Sequence, residues 1–297
     1  MLSEGRGQGV LATYMPWLRV SRGDFSSSGV SSIVPDPLVS HRPHHTFSRG
    51  ETALLLRLLY SHPFDVREQF PLARFPEEHP LLRCGLPLSV TDTLRLALCR
   101  GTVALAAALG IRHPRYPQSR TPFVMTTDFL VTTIGIDDKP QLTAFSYKPR
   151  RKLVGGPRVL ELLELERRAW AELGVAWRLV TEEHLNVSVS ENLLWAHRYC
   201  AEVEPWAPNP VPLRPRFLEQ ITCGQWDIPV RDALRRIAGL LRWPFELAVA
   251  LFRHCLWRRE IIVDLETRIE LPRVLSQPPV VRVGDDASPS KRKGDDA

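Results

Sequence analysis

Three residues of this chain stand in an order that phosphodiester hydrolysis can use: Glu51 in SRGETALL, Asp128 in TTDFLV and Lys148 in AFSYKP. Hydrolysing a phosphodiester requires a divalent metal to neutralise the phosphate and acidify a water, and carboxylates to hold that metal. Magnesium prefers oxygen ligands and commonly takes only one or two carboxylates, keeping its waters for the reaction. A lysine beside it orients or deprotonates the attacking water and stabilises developing charge. Each residue also has an ordinary structural reading. Glu51 fits the acid of a helix capping box, Asp128 a charge on a strand edge, and Lys148 a solvated lysine at a strand end. A D-x(n)-[ED]-x-K pattern is short and frequent by chance, so spacing alone leaves a nuclease as one reading among several.

The elements that must position these residues are legible around them. Residues 48–60 read as a helix, with Ser48 as N-cap and Glu51 three residues on. Residues 65–72 read as a strand with Val66, Glu68 and Phe70 on one face, ended by Pro71. Residues 91–110 predict a helix or helix pair, weakened at Gly101 and stopped at Gly110. Residues 122–135 and 142–148 predict a hairpin through the turn IDDKPQ, which brings Asp128 and Lys148 onto adjacent strands. An amphipathic helix follows over 158–173, then a strand over 175–181. On the helix, Glu164 and Glu166 with Arg167 and Arg168 read chiefly as a solvated, ion-paired face, with a supporting role near the active site as the alternative. Residues 202–217 hold five prolines and read as an irregular junction. Residues 218–270 predict two or three helices followed by a hairpin in REIIVDLETRIEL, a winged-helix pattern. The expected domains are an N-terminal arm (1–45), a catalytic domain (46–185), a helical winged-helix-like domain (186–275) and a disordered tail (276–297).

Composition narrows the partners. Lys and Arg total 39 against 33 Asp and Glu, a net charge of +6, which favours a polyanion. The five cysteines form no C-x-x-C, which argues against a zinc ribbon or a disulfide framework. No apolar run reaches the length of a membrane span, and the opening MLSEGRGQG lacks the core of a signal peptide, so the expected location is cytoplasmic. His41, His44 and His45 lack a carboxylate or Cys at ligand spacing, so DNA-facing or structural roles are favoured over zinc. The C-terminal arginines 235, 236, 242, 253, 258 and 259 fit either a DNA-binding face or a protein-docking one.

Longer words raise the specificity. Gly5-Arg6-Gly7-Gln8-Gly9, Tyr14-x-Pro16-Trp17-Leu18, His44-His45-x-x-Ser48-x-x-Glu51 and Asp65-Val66-Arg67-Glu68-Gln69-Phe70-Pro71-Leu72 resemble the TnsA family, as do Val124–Leu130, Lys148-Pro149 and the run from Leu162 to Glu182. The resemblance is strong over roughly residues 5–200 and looser over 218–275. It implies an α/β fold with a restriction-endonuclease-like, PD-(D/E)XK core, and catalytic positions Glu51, Asp128 and Lys148. It implies Mg2+, for which Mn2+ substitutes, held by Glu51 and Asp128, with the Tyr147 backbone carbonyl and Ser146 as further oxygen donors. The expected DNA-binding residues are Arg6, Trp17, Arg42, His44, His45, Ser48, Arg67 and Gln69. The implied reaction is hydrolysis at the 5′ ends of a transposon, on double-stranded DNA, beside a TnsB-like joining transposase and a TnsC-like AAA+ ATPase, the latter docked largely through the C-terminal region. The location would be the bacterial cytoplasm and nucleoid. Two departures matter: Ser146 stands where a metal-binding Gln or Glu is usual, and residues 25–40 hold no Arg or Lys. They keep open a catalytically silent DNA-binding or scaffold subunit; a free-standing restriction or repair nuclease is a further alternative, against which the Pro-rich junction and C-terminal helical module argue.

Overall fold

A computed structural model gives the fold of residues 4–21, 30–83, 98–198 and 213–282. Residues 91–97 of the expected helix, the Pro-rich stretch 202–212, part of the arm and the tail beyond 282 lie outside the described residues. The chain divides into two units, Met1–Leu185 and Asn186–Ala297.

In the first unit, β1 (Ser32–Val34) and β2 (His44–Thr46) form a short antiparallel ladder. Helix α1 (Arg49–Tyr60) begins where expected: the Ser48 hydroxyl accepts the Glu51 N–H at 3.1 Å, and the Glu51 carboxylate accepts back from the Phe47 N–H at 2.9 Å. Its apolar stripe, Leu54, Leu55, Leu56 and Leu59, is buried. Strands β3 (Asp65–Pro71), β4 (Thr126–Ile134) and β5 (Pro140–Tyr147) run antiparallel in that order, and β6 (Ala176–Val180) joins β5 in parallel. Between β3 and β4, the expected helix starts only at Thr102 (α2, Thr102–Ala108). Gly101 is its N-cap at φ +89, not a weak point inside it, because a Cβ there would collide with the backbone of Arg74 and Phe75. After β5 come α3 (Arg150–Val154) and the long α4 (Pro157–Glu172).

The parallel pairing of β5 and β6 needs a crossover, and α4 supplies it. Leu130 of β4 lies opposite Ala144 of β5, and both join Leu142, Leu165, Ala169 and Trp170 in one core. Helix α1 packs on β4 and β5. The unit is therefore a mixed α/β fold around a mixed four-stranded sheet. The arm does more than pack locally on Trp17. The Trp17 N–H donates to the Gln69 carbonyl at 3.3 Å, the Tyr14 hydroxyl to the Glu68 carbonyl at 2.9 Å, and Tyr14 stacks on Phe70.

The second unit holds α5 (Val187–His197), α6 (Leu213–Cys223), α7 (Val230–Leu241) and α8 (Phe245–Trp257), with a core of Phe217, Ile221, Leu234, Ile237, Leu251, Phe252 and Ile261. The hairpin expected within 259–271 does not form. Ile261 and Ile262 make β7, which pairs with β8 (Val280–Val281) instead. The intervening chain turns on Asp264, whose carboxylate accepts from the Glu266 N–H and from the Thr267 and Ser276 hydroxyls. It then feeds the Ile269 N–H to Asn192 of α5. Those local partners compete with a β-ladder for the same backbone.

Candidate active site

The hairpin brings Asp128 and Lys148 together as the sequence requires. Asp128 lies one residue beyond the Phe129–Phe145 pair, and its Oδ2 accepts from the Tyr147 N–H at 2.7 Å and from Lys148 Nζ at 3.2 Å. Lys148 Nζ also donates to the Tyr147 carbonyl at 3.0 Å. Two of the three ammonium donors are thereby committed to protein oxygens. Burial pulls the Lys148 ammonium down, but Asp128, Glu166 and Glu51 outweigh it and leave the group above its ordinary value.

Glu51 reaches the site through α1. Gly50 makes this possible: a Cβ there would overlap the Tyr147 ring, so only glycine lets that ring lie against the first turn of the helix. The ordinary reading of Glu51 holds, and the same side chain lies within the field of Asp128. Its oxygens accept from the Phe47 N–H and the Ser48 hydroxyl, each at 2.9 Å. Yet burial, and then the negative charge of Asp128, push its carboxyl up to about 7. Two carboxylates sharing a poorly solvated site leave a negative charge that a cation would relieve.

Ser146 is not an idle gap in the motif. Its hydroxyl donates to Glu166 of α4, which also accepts from the Thr127 hydroxyl at 2.7 Å. Thr127 is in turn held by the Trp170 indole N–H at 2.7 Å, and the Trp177 indole reaches Ser146 at 3.3 Å. Glu166 is buried, and burial raises its carboxyl despite the Ser146 hydrogen bond, with Asp128 adding to the rise. Its neighbour Glu164 behaves as the solvated face predicts, paired with Arg167 and Arg168. Glu166 thus departs from the solvated face and takes the alternative position, beside the site. Its signal is spacing: Leu163, Glu166 and Trp170 fall at i, i+3 and i+7, the buried stripe of α4.

The donors gathered here are all oxygens, which suits magnesium rather than zinc. Among the described residues no three His, Cys, Asp or Glu side chains converge as a ready metal cage. Two carboxylates and a carbonyl with waters would meet magnesium's needs.

The expected DNA contacts are placed differently. Arg42, His44, Arg67 and Gln69 are buried, and Trp17 is buried with them. Arg42 donates to Glu68 at 2.8 Å and to the Val66 carbonyl at 2.7 Å. His44 lies between Glu68 at 2.9 Å and Asp36 at 3.2 Å. His45 accepts the Val20 N–H at 3.0 Å, and its own N–H goes to Glu68 at 3.1 Å. Arg67 sits over Phe70 and reaches Thr132, while Gln69 accepts from Thr126. Ser48 is spent on its cap, and Arg6 is bound to Glu4 and the Trp17 carbonyl. Arg42, His44 and His45 gather on Glu68 of β3, Arg67 and Gln69 bond to β4, and as they stand these groups face protein. The three histidines do not share a centre either, since His41 meets the Pro37 carbonyl.

Residues 88–182 match the sequence family described as TnsA-like endonuclease N terminal. Over 201 residues the chain is 36% identical to the Transposon Tn7 transposition protein TnsA of Escherichia coli, covering 66% of this chain and 60% of that relative. The chain thus spans less than two thirds of the length of the curated relative it matches.

Proposed function

We propose that this chain, similar to the TnsA-like endonuclease family over residues 88–182 and to TnsA over 201 residues, is a magnesium-dependent DNA endonuclease of a transposase. It cleaves at the 5′ ends of the element, on the strand that a TnsB-like joining subunit leaves uncut, under a TnsC-like AAA+ regulator. The observation that carries this reading is the meeting of Asp128, Lys148 and Glu166 at the end of the β4–β5 hairpin, with Glu51 brought alongside. The mixed sheet with α1 and α4 against it supports a PD-(D/E)XK core. The helical C-terminal unit with its β7–β8 ladder supports a winged-helix-like docking module.

Glu51, Asp128 and the Tyr147 carbonyl would hold magnesium, which when bound neutralises the phosphate and acidifies a water. Lys148 has an electrostatic task. Its ammonium is held charged, so it donates its third N–H to a phosphate oxygen or to the attacking water rather than removing a proton. Asp128 fixes that ammonium and, through Tyr147, the strand that carries it. Glu166 secures the rear of the site by binding Ser146 and Thr127 on both strands.

The test is cleavage of transposon-end DNA by this chain with the joining subunit and ATPase, mapped strand by strand. Nicks on the non-transferred strand are expected with Mg2+ or Mn2+ and vanish with EDTA. Cleavage that survives EDTA, or that occurs without this chain, overturns the reading.

Metal binding is also expected to depend on pH. Glu51 stays protonated up to about pH 7 and must lose that proton to become a ligand. Affinity for Mn2+ therefore rises about tenfold per pH unit below 7 and levels off above it. Calorimetry in two buffers of different ionisation enthalpy reads about one proton released per metal at pH 6 and little at pH 8. Equal release at both pH values removes Glu51 from the ligand set.

A further inference from the structure

Gln69 lies inside β3 with its backbone turned into the left-handed region, at φ +47. A strand calls for extended backbone, and only glycine takes the left-handed conformation freely. Such a residue persists where its surroundings over-determine it. Here they do. The carbonyls on either side of the Gln69 Cα are both held by the arm: Glu68 accepts the Tyr14 hydroxyl at 2.9 Å, and Gln69 accepts the Trp17 N–H at 3.3 Å. Those carbonyls mark the two peptide planes whose relative rotation is the φ and ψ of Gln69. Tyr14 and Trp17 are themselves buried, and Tyr14 stacks on Phe70.

This turn falls opposite Asp128. The β3–β4 register pairs Glu68 with Phe129 and Phe70 with Thr127, so Gln69 and Asp128 face each other between them, yet that pair is missing from the ladder. The Leu72 N–H donates to the Met125 carbonyl at 2.8 Å. By alternation, 69 and 128 would then form a non-hydrogen-bonded pair, the kind whose side chains stand closest. An extended Gln69 would set its side chain against the Asp128 carboxylate. Instead its amide oxygen accepts from the Thr126 hydroxyl at 3.2 Å, two residues back along β4. On the other edge of β4, pairing with β5 begins only at Phe129. Asp128 thus stands outside both ladders, and its carboxylate makes the link to β5 through the Tyr147 N–H at 2.7 Å. We infer that Gln69 is a positioning residue for Asp128: the arm turns β3 at Gln69, which draws its side chain aside and leaves the carboxylate to face the Tyr147 N–H and Lys148 Nζ. Gln69 acts through Asp128 and not on the reacting atoms. Its bearing on cleavage rests on the nuclease reading; the positioning itself does not.

The first readout needs neither metal nor DNA. The Tyr147 amide proton bonds to Asp128 Oδ2 and lies on β5, with β4 between it and Gln69, so its hydrogen exchange reports where the carboxylate sits. Its rate is read in the full chain against that of the Ala144 amide on the same strand, which a general loss of stability would speed equally. Gln69→Val brings a β-branched side chain that resists the left-handed turn. It is expected to speed Tyr147 exchange at least about tenfold relative to Ala144 and to weaken Mn2+ binding about tenfold, the effect of losing a group that orients a ligand. Gln69→Gly keeps the turn without the side chain and should stay within about threefold of wild type on both readouts. Tyr14→Phe removes one hold on the turn while keeping the stack on Phe70. It is expected to speed Tyr147 exchange about threefold, and it decides the matter if Gln69→Val does not fold. A wild-type exchange ratio in Gln69→Val, or in Tyr14→Phe where Gln69→Val does not fold, overturns the inference. So does a Gln69→Gly chain as altered as Gln69→Val, which would place the effect in the side-chain bond to Thr126. A Tyr147 amide that responds as expected in a chain that cuts no DNA would sink the nuclease reading and leave the positioning standing.

Discussion

A chain carrying either Asp128→Ala or Glu166→Ala cleaves the non-transferred strand at least about 10³-fold more slowly than wild type, in the reconstituted reaction with Mg2+. For Asp128 the reason is direct. Its Oδ2 is the shared acceptor of Lys148 and of the Tyr147 N–H, so alanine would remove a proposed metal oxygen and free the lysine together. For Glu166 the reason lies in where the acid comes from. The strand position two before Lys148 offers only the Ser146 hydroxyl, and that hydroxyl is bound to the Glu166 carboxylate arriving from α4. On the proposed function, Glu166 would supply from the helix the negative charge that position 146 lacks, besides holding Ser146 and Thr127. A swap tests this against a merely structural role. In Glu166→Ala alone, the Thr127 and Ser146 hydroxyls lose their acceptor, while the Trp170 indole keeps Thr127 as its partner. In Ser146→Glu/Glu166→Ser, the carboxylate returns to the strand and a hydroxyl remains on the helix. Recovery of at least about tenfold over Glu166→Ala, with restored Mn2+ affinity, is expected if the charge matters. A double variant as inactive as Glu166→Ala, yet folded by circular dichroism, would make Glu166 a packing residue only.

The parts of the site that sequence could reach are those fixed by local rules. Ser48 and Glu51 announce a capping box whatever follows, and the alternation through TTDFLV and LTAFSYK sets a hairpin whose register brings 128 beside 148. What escaped depends on covering both sides of an element. DVREQFP reads as a strand with Val66, Glu68 and Phe70 on one face, but its period does not tell that the arm and β2 pack against it and that all but Pro71 is buried. Arginines and histidines that look offered to DNA are then consumed by Glu68 and Asp36. Glu166 was hidden by its neighbours, since Glu164, Arg167 and Arg168 on the same turns are solvated ion pairs. The C-terminal hairpin failed for another reason. Ile261 and Ile262 carry a strand signal but no partner within reach of a tight turn, and their partner lies at 280–281. Local pattern predicts that a strand exists more readily than what it pairs with.

The second large effect concerns stability. Glu68→Ala is expected to destabilise the first unit by about 3–5 kcal/mol, because it leaves two buried cations without their partner. Glu68 accepts from Arg42, from His44 and from the His45 N–H, and both Arg42 and His44 are buried around it. Burial keeps bulk solvent from standing in for a lost carboxylate, which separates this network from the exposed pairs on α4. The melting temperature should fall by about 10 °C or more, at about 2–4 °C per kcal/mol. The network also sets a pH window. Burial alone would raise the Asp36 and Glu68 carboxyls, but His44 and its neighbours hold Asp36 down to about 2 and Glu68 well below its ordinary value. Carboxyls lowered on folding stabilise above their unfolded values, and that stability is lost as pH falls toward the folded ones. His44 moves the other way. Burial alone would lower it, but Glu68 and Asp36 outweigh this and raise it above 6.5. Its contribution is complete below the unfolded value and lost as pH rises through the folded one. The network is therefore strongest between about pH 4.5 and 6.5, where both carboxyls are ionised in either state and the histidine is charged. Urea unfolding from pH 3 to 9 checks this. Wild type should lose stability on both sides of that window. His44→Gln should be less stable within it, and its loss on the alkaline side should shrink. A His44→Gln profile parallel to wild type at every pH would mean that the histidine is buried uncharged and that Arg42 alone holds Glu68.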